Sequence, residues 1–266
     1  MRACEISRKL RFAQLLAAAL GVGALLSNTA GPAIAAPCAF EPQGEGRVAE
    51  IIDARSFRLR DGREVRLAGI EPISESAATG QALARILTDQ DMILRGEDDT
   101  PDRYGRQPAF VFPQAAGTSA QEELLSEGMG LASATVTNRE CASALMAAED
   151  AARHAKRGIW ADRAVIKNAE SAGDILTGIG RFALVEGKVL SVRQAGTTTY
   201  LNFGRNWTRD FAATISKRGS AVFEAAGIQP KSFENRRIRV RGFVEAHGGP
   251  RIEVLRVEQI ELLGGN

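Results

Sequence analysis

The sequence predicts a mainly β protein with additional α-helices, built from two successive five-stranded β-barrels. Two observations lead to this fold class. First, an order of three strands, one helix and two strands can be traced twice along the 266 residues, and this is the order of an OB barrel. Second, strong turn signals such as Asp61-Gly62 and Gly248-Gly249-Pro250 separate strand-like runs, which favours strands joined by tight turns.

The first 36 residues have the composition of a secretory signal peptide. A basic start at residues 8–11 precedes an apolar run over residues 12–26, and the small residues of Ala33-Ile34-Ala35 follow. The alternative is a membrane anchor, but the apolar run is shorter than the roughly 20 residues that a spanning helix needs. We therefore expect an exported protein, periplasmic or secreted, with no membrane span after cleavage.

The first predicted domain covers residues 37–160. Asp61-Gly62 predicts a hairpin between its second and third strands. An apolar stripe at helical spacing then predicts a helix over residues 76–88. The five strands are predicted at residues 47–53, 56–60, 64–70, 92–95 and 109–112.

Two further helices are expected to pack on this first barrel. Ser119 and Glu122 have the spacing of a capping box, which predicts a helix that begins there and runs to about Glu127. A long Ala-rich segment over residues 140–157 predicts a second helix, which Gly158 ends.

Residues 161–180 are predicted to be a linker, because Ser171, Gly173, Gly178 and Gly180 weaken any regular element. The second predicted domain, residues 181–266, repeats the OB-like order without sequence repetition. Its strands are predicted at residues 182–192, 198–203, 210–216, 237–246 and 251–262, with a short helix at 221–226.

Two cysteines, Cys38 and Cys141, remain after removal of the signal segment. In an exported, oxidising setting we expect them to form a disulfide. Closing a loop of about 100 residues would add about 4–5 kcal/mol of stability in the chain-entropy model. Two buried free thiols are the alternative.

Charge is distributed unevenly along the chain. Residues 37–160 contain 14 Lys and Arg against 20 Asp and Glu, a net charge of −6, whereas residues 181–266 contain 14 against 8, a net charge of +6. Because a basic surface attracts polyanions, contact with nucleic acid is more plausible on the second domain.

Three motifs in the first domain carry a resemblance to a known family. They are Asp53-Ala54-Arg55-Ser56, the run Arg66-Leu67-Ala68-Gly69-Ile70-Glu71-Pro72, and Asp102-Arg103-Tyr104-Gly105-Arg106. Over residues 47–160 the chain resembles the staphylococcal nuclease (thermonuclease) family. The resemblance implies an OB-fold barrel with helices, and a calcium-dependent nuclease activity that cleaves DNA or RNA.

The resemblance also assigns roles to individual residues. Arg66 and Arg106 match the phosphate-binding arginines, while Asp53 and Glu71 fall at metal-ligand positions. A second family acid in the first motif is replaced by Arg55, whose positive charge opposes a divalent cation. Pro72 comes one position early in its motif. Ser74 stands where the family has its catalytic Glu. The neighbouring Glu75 is therefore a candidate for the general base. It is a weak candidate, because a shift of one residue normally moves a base out of hydrogen-bond reach.

A separate arginine pattern lies in the second domain. Arg237, Arg239 and Arg241 alternate with Ile238, Val240 and Gly242, so period two places all three arginines on one strand face. With Tyr200 they resemble the basic and aromatic surfaces that bind single-stranded nucleic acid. The alternative is a solvated charged face without a ligand.

From these observations we expect an exported thermonuclease-family homologue that is catalytically impaired and binds nucleic acid, another polyanion or a partner protein. No cofactor is expected in that case. The first alternative is an active calcium-dependent nuclease that uses Asp53, Glu71 and Glu75. The second alternative is a structural protein of the cell envelope.

Overall fold

A computed structural model describes residue 38 and residues 40–73, 77–114, 116–134 and 136–264. The predicted signal segment and Glu75 lie outside the described residues. Within the described residues no helix is both long and apolar enough to cross a membrane. The described residues from Cys38 onward belong to one compact unit, so the two predicted barrels are parts of the same body.

The first lobe contains a six-stranded sheet and three helices. Its elements are β1 (Pro42–Gly46), β2 (Val48–Asp53), β3 (Ser56–Leu59), β4 (Glu64–Leu67), β5 (Ile70–Glu71), α1 (Ala77–Leu87), β6 (Met92–Arg95), β7 (Gln107–Pro113), α2 (Ala120–Ser126), β8 (Leu131–Ala132) and α3 (Arg139–His154). β5 and β8 form a separate antiparallel pair.

The strand order in the first sheet is β1-β6-β7-β4-β3-β2. β4 and β7 are parallel, and the other neighbours are antiparallel. The described strands of this sheet do not form a closed barrel. Its two edge strands, β1 and β2, are nevertheless separated in the chain only by Arg47. One stretch of chain therefore lies at both edges of the sheet, which is the order predicted for the first OB module.

The helices of the first lobe cover one apolar core. α1 buries Ala82, Leu83, Ile86 and Leu87, as its periodicity predicts. The predicted capping box at α2 is present, since Ser119 and Glu122 bond each other's backbone N–H groups. The expected disulfide is also present between Cys38 and Cys141, whose Cα atoms are 4.4 Å apart.

The second lobe contains an eight-stranded sheet. After two 3₁₀ turns at Gly158–Ala161 and Arg163–Val165, its elements are β9 (Ile166–Asn168), α4 (Ala172–Leu176), β10 (Phe182–Lys188), β11 (Ser191–Ala195), β12 (Thr198–Asn202), β13 (Ala212–Ile215), α5 (Lys217–Ala225), β14 (Arg237–His247), β15 (Gly249–Glu253) and β16 (Ile260–Leu262). Two more 3₁₀ turns lie at Pro230–Phe233 and Val257–Gln259.

The main path of this sheet is β11-β12-β13-β15-β14-β10-β9, with β16 also paired to β14. As in the first lobe, a parallel pair, β13 with β15, occurs once among the OB strands. The consecutive strands β10 and β11 lie at opposite ends of the order β11-β12-β13-β15-β14-β10, as β1 and β2 do in the first sheet. The two lobes therefore share the same strand order although their sequences do not repeat.

The segment predicted as a linker contains regular structure. β9 pairs in parallel with β10, and α4 buries Ile175 against the core of the second lobe. Gly173 lies inside α4, so a short helix forms here although Gly173 was expected to weaken any regular element. Burial of Ile175 stabilises this single turn despite the weak helix propensity of glycine.

Candidate functional site

The Asp53–Ser56 motif forms the turn between β2 and β3. The Asp53 carboxylate accepts the backbone N–H of Arg55 at 2.8 Å, which holds the turn. The Arg55 guanidinium forms an ion pair with Glu71 and also donates to the Ile70 carbonyl at 3.4 Å. The two paired side chains are only 18% and 15% exposed. Arg55 therefore binds the carboxylate that the family resemblance assigns to the metal.

Burial changes the pKa of the Glu71 carboxyl. Removal from water raises the pKa of Glu71, and the neighbouring Arg55 guanidinium opposes this rise without cancelling it. A carboxyl with a raised pKa and an arginine partner is a poor ligand for an additional cation, because its charge is already matched.

The residues at this turn do not fit a calcium ion. Calcium takes six to eight oxygen ligands, several of them from carboxylates. Here the guanidinium of Arg55 lies on Glu71, which leaves Asp53 as the remaining acid of the two predicted ligands. Across the described parts of the chain, no group of three or more His, Cys, Asp or Glu side chains could hold a metal ion.

The two predicted phosphate-binding arginines converge on Asp102. Arg106 donates from Nε and Nη2 to Asp102 Oδ2 at 3.0 and 2.8 Å, and Arg66 Nη1 lies 3.9 Å from the same oxygen. Burial of Asp102 opposes its ionisation, but the hydrogen bonds from Arg106 and from the Tyr104 N–H outweigh it and hold the pKa of Asp102 below its usual range.

Strand register brings the first two motifs together. Ser56 pairs with Arg66 between β3 and β4, and the Leu67 N–H donates to the Arg55 carbonyl at 2.8 Å. Tyr104 is exposed in the third motif, with the guanidiniums of Arg103 and Arg106 at 4.8 and 5.0 Å from its ring centre. The first lobe thus retains a cluster of guanidinium groups with one acid, Asp102, between two of them.

The second lobe contributes to the surroundings of Arg55, which the sequence did not predict. A cavity of about 340 Å³ is lined on one side by Arg55 and Glu71, and on the other by Arg181, Phe182 and Phe243. The family motif is therefore partly enclosed by residues from outside the family's domain. A sequence pattern carries no signal for this contact, because the two sides lie more than 100 residues apart.

The predicted arginine face of β14 is not a solvent-facing surface. Arg237 is exposed, but Arg239 and Arg241 are buried. Arg239 donates from Nε to Glu186 at 2.7 Å and from Nη1 to Glu261 at 2.7 Å. We expected all three arginines to face a ligand or, alternatively, solvent. Both expectations are wrong for Arg239 and Arg241, because these two side chains are buried in ion pairs.

Arg241 joins the two lobes. Its guanidinium donates to Glu149 of α3 at 2.9 and 3.0 Å and to the Ala132 carbonyl at 2.8 Å, and it also pairs with Glu261. Glu149 in turn accepts the Ala132 N–H at 2.7 Å. Burial lowers the pKa of Arg241, but Glu149 and Glu261 raise it by more, so the guanidinium keeps its charge.

Tyr200 lies apart from the arginines of β14. It pairs with Arg193 of β11 and Thr214 of β13, and the Arg251 guanidinium lies 5.4 Å from its ring centre. The predicted partners Arg239 and Arg241 instead belong to the segment of β14 that pairs with β10 and β16. Tyr200 and the predicted arginine face therefore do not form one binding surface.

The first lobe has the strand order of an OB fold, with Arg66 and Arg106 beside Asp102 and with Arg55 paired to Glu71. Residues 66–162 match the family model described as staphylococcal nuclease homologue. No curated protein matches the chain. The family match begins at Arg66, after the turn that contains Arg55.

Proposed function

We propose that the protein is a catalytically impaired member of the staphylococcal nuclease family that binds a phosphate-bearing polyanion such as nucleic acid. The observation that carries this proposal is the partly buried ion pair between Arg55 and Glu71. It puts a guanidinium where the family resemblance calls for an oxygen ligand. A positive charge about 4 Å from a divalent ion costs about 8 kcal/mol at an effective dielectric constant of 20.

Phosphate binding does not need the metal. Arg66 and Arg106 present N–H groups in the planar, forked geometry that matches phosphate oxygens. Both guanidiniums form ion pairs with the Asp102 carboxylate, so a phosphate group must compete with this carboxylate for them. This favours modest affinity that depends strongly on salt, as expected for contacts to a nucleic-acid backbone.

Export to the periplasm or the extracellular medium is part of the proposal, because the basic and apolar pattern of residues 1–36 is that of a signal peptide. The disulfide between Cys38 and Cys141 is consistent with an oxidising compartment. A partner protein is the other ligand class that an inactive module of this family can bind.

The test combines a cleavage assay with a binding assay on the purified mature chain. Labelled DNA and RNA are incubated with calcium, and we expect them to remain intact. Binding of a labelled oligonucleotide is then measured by fluorescence anisotropy for the parent and for Arg66→Gln and Arg106→Gln. Each substitution is expected to weaken binding about 5- to 10-fold, because one charge-assisted contact is lost.

Arg60→Gln is the matched control, since Arg60 is an exposed arginine at the end of β3 and outside the three motifs. It is expected to bind like the parent at the same salt concentration. Calcium-dependent cleavage that disappears in Glu71→Gln would instead establish the active nuclease. Absence of binding to DNA, RNA and other polyanions would leave a partner protein or an envelope role.

A further inference from the structure

A second concave surface lies away from the nuclease-like motifs, where the end of α3 meets the second lobe. It is a cleft of about 620 Å³, within the usual size range of small-molecule sites. Its walls come from the end of α3, from the segment 160–170, and from β10 and β14. We name it the α3–β14 cleft.

Basic side chains outnumber acidic ones in the α3–β14 cleft. The lining includes the basic residues Arg153, Lys156, Arg163, Lys167 and Arg237, against Asp162, Glu170 and Glu186. Glu186 is already bonded by Arg239, and Asp162 accepts the backbone N–H of Ala164 at 2.8 Å.

Three of the cleft cations form no direct salt bridge in the described part of the chain, although the charge of Arg237 acts on the carboxylate of Glu186 in the same cleft. They are Lys156, Arg163 and Arg237, all exposed and each from a different segment. By contrast, Lys167 pairs with Asp174 at 2.9 Å. Three unpaired cations that converge on one concavity are complementary to an anion.

Two donors in the cleft wall also lack acceptors. The buried Trp160 Nε1 has no hydrogen-bond partner among the described residues, and neither has Arg153 Nη1. Arg153 Nη1 lies 3.9 Å from Glu149 Oε1, which is too far for a hydrogen bond. Buried donors without acceptors are rare in folded proteins, but both atoms are closed off from solvent, so a ligand in the cleft meets the exposed cations instead.

The backbone at Lys156 provides an independent observation. Lys156 follows α3 with φ of +53°, a left-handed conformation that favours glycine. The Arg157 N–H donates to the Ala152 carbonyl at 3.0 Å, which closes the helix end around it. The ammonium group suits the negative end of the helix dipole, and Lys156 also places this charge at the cleft, where it forms no direct salt bridge in the described residues.

We propose that the α3–β14 cleft binds the phosphate group of a nucleotide-sized ligand. Lys156, Arg163 and Arg237 supply the charge, and the arginine forks suit phosphate oxygens. The phosphate belongs either to a free nucleotide or to a nucleotide within a nucleic-acid strand. The site uses none of the nuclease-like motif residues, so it stands independently of the function proposed above.

Tryptophan fluorescence tests the proposal directly. The chain has two tryptophans, and the second, Trp207, is 70% exposed and lies outside the cleft lining. In a Trp207→Phe background, Trp160 in the cleft wall is the remaining tryptophan. This protein is titrated with adenosine 5′-monophosphate, with adenosine, and with a short oligothymidylate, and calorimetry on the same samples detects binding that leaves the emission unchanged.

Saturable binding of the phosphate-bearing probes, and none of adenosine, is expected. Lys156→Gly and Arg237→Gln should each weaken binding about tenfold, since each removes a charged contact. Lys156→Gly should also fold at least as stably as the parent, because glycine suits the positive φ. Arg218→Gln, an exposed arginine on α5 with no ion pair in the described residues, is the matched control and should bind like the parent.

The two phosphate sources are separated by which probe binds. Saturation by adenosine 5′-monophosphate assigns a free nucleotide, and saturation by oligothymidylate alone assigns a strand. The proposal is overturned if neither binds, if adenosine binds equally well, or if the Lys156 and Arg237 variants bind like the parent. Loss of binding in an Arg66→Gln/Arg106→Gln variant would also overturn it, while leaving the function proposed above intact.

Discussion

At the scale of single residues, Arg55 decides the chemistry of the first lobe. A carboxylate at this position would add an oxygen donor beside Asp53 and Glu71. The guanidinium instead forms the partly buried ion pair with Glu71 and follows a turn that Asp53 stabilises. The turn therefore carries a positive charge where the family resemblance implies a carboxylate.

Arg55→Asp is predicted to create a calcium-dependent increase in thermal stability that the parent lacks. The substitution removes the guanidinium and brings three carboxylates to one turn, which repel each other until a cation binds. Without calcium, the variant should therefore be less stable than the parent. The measurement is the melting temperature with and without calcium.

Arg55→Gln is the control for this experiment, because it removes the guanidinium without adding an acid. It should show no calcium response. An equal calcium response in the Arg55→Gln protein and the Arg55→Asp protein would contradict the assignment of position 55 as a missing ligand.

At the scale of elements, α3 connects the parts of the molecule that matter for both proposals. Cys141 near its beginning ties the helix to the start of the first lobe. Glu149 in its middle binds Arg241 of the second lobe, and Lys156 just beyond its end lines the α3–β14 cleft. A displacement of this one helix would therefore disturb the lobe contact and the cleft together.

Removal of the disulfide should lower stability without changing the fold. A paired Cys38→Ala/Cys141→Ala variant loses a cross-link between residues 103 positions apart, which corresponds to about 4–5 kcal/mol in the chain-entropy model. Denaturant unfolding should show the loss, and the parent in reductant should match the variant. A parent whose unfolding midpoint does not change with reductant would contradict this prediction.

At the scale of the whole molecule, a buried ion-pair network joins the two lobes. Three arginines, Arg153, Arg239 and Arg241, meet the carboxylates of Glu149, Glu186 and Glu261. Apolar contacts run beside it, where Leu131 and Trp160 pack with Phe182 and Leu184. We infer that the lobes unfold together, because separating them would leave charges of both signs buried without partners.

Arg241→Met is predicted to destabilise the protein by about 3–5 kcal/mol, since it leaves Glu149 buried without its main partner. Adding Glu149→Gln removes that charge while keeping an acceptor for the Ala132 N–H. The double variant should therefore be less destabilised than the sum of the two single variants. Denaturant unfolding of all four proteins gives the coupling energy, and strict additivity would contradict a direct interaction.

Much of the fold could be predicted from local sequence. The Asp61-Gly62 turn, the α1 stripe, the capping box at Ser119 and the two cysteines each depend on residues close in sequence or on simple pairing rules, and each is present. β9 and α4 were missed because their strength comes from pairing with β10 and from burial of Ile175, not from local propensity.

The candidate site divides in the same way. The motifs containing Arg55, Arg66 and Arg106 could be recognised from the sequence, because each motif consists of residues that are close together in the chain. Their partners could not, since the contact of Arg55 with Glu71 and the enclosure by Phe182 and Phe243 depend on how strands pack.

By itself, the sequence determined the two-module order, the disulfide pair and the replacement of an acid by Arg55, since these follow from residue type and spacing. Only the tertiary structure decided which arginines of β14 are buried and which carboxylates they bind. A two-residue period places Arg237, Arg239 and Arg241 on one face of a strand, but it carries no information about what covers that face. Glu149 of α3 and Glu261 of β16 bind on that face, so Arg239 and Arg241 are buried there, and Arg241 forms the contact with the first lobe.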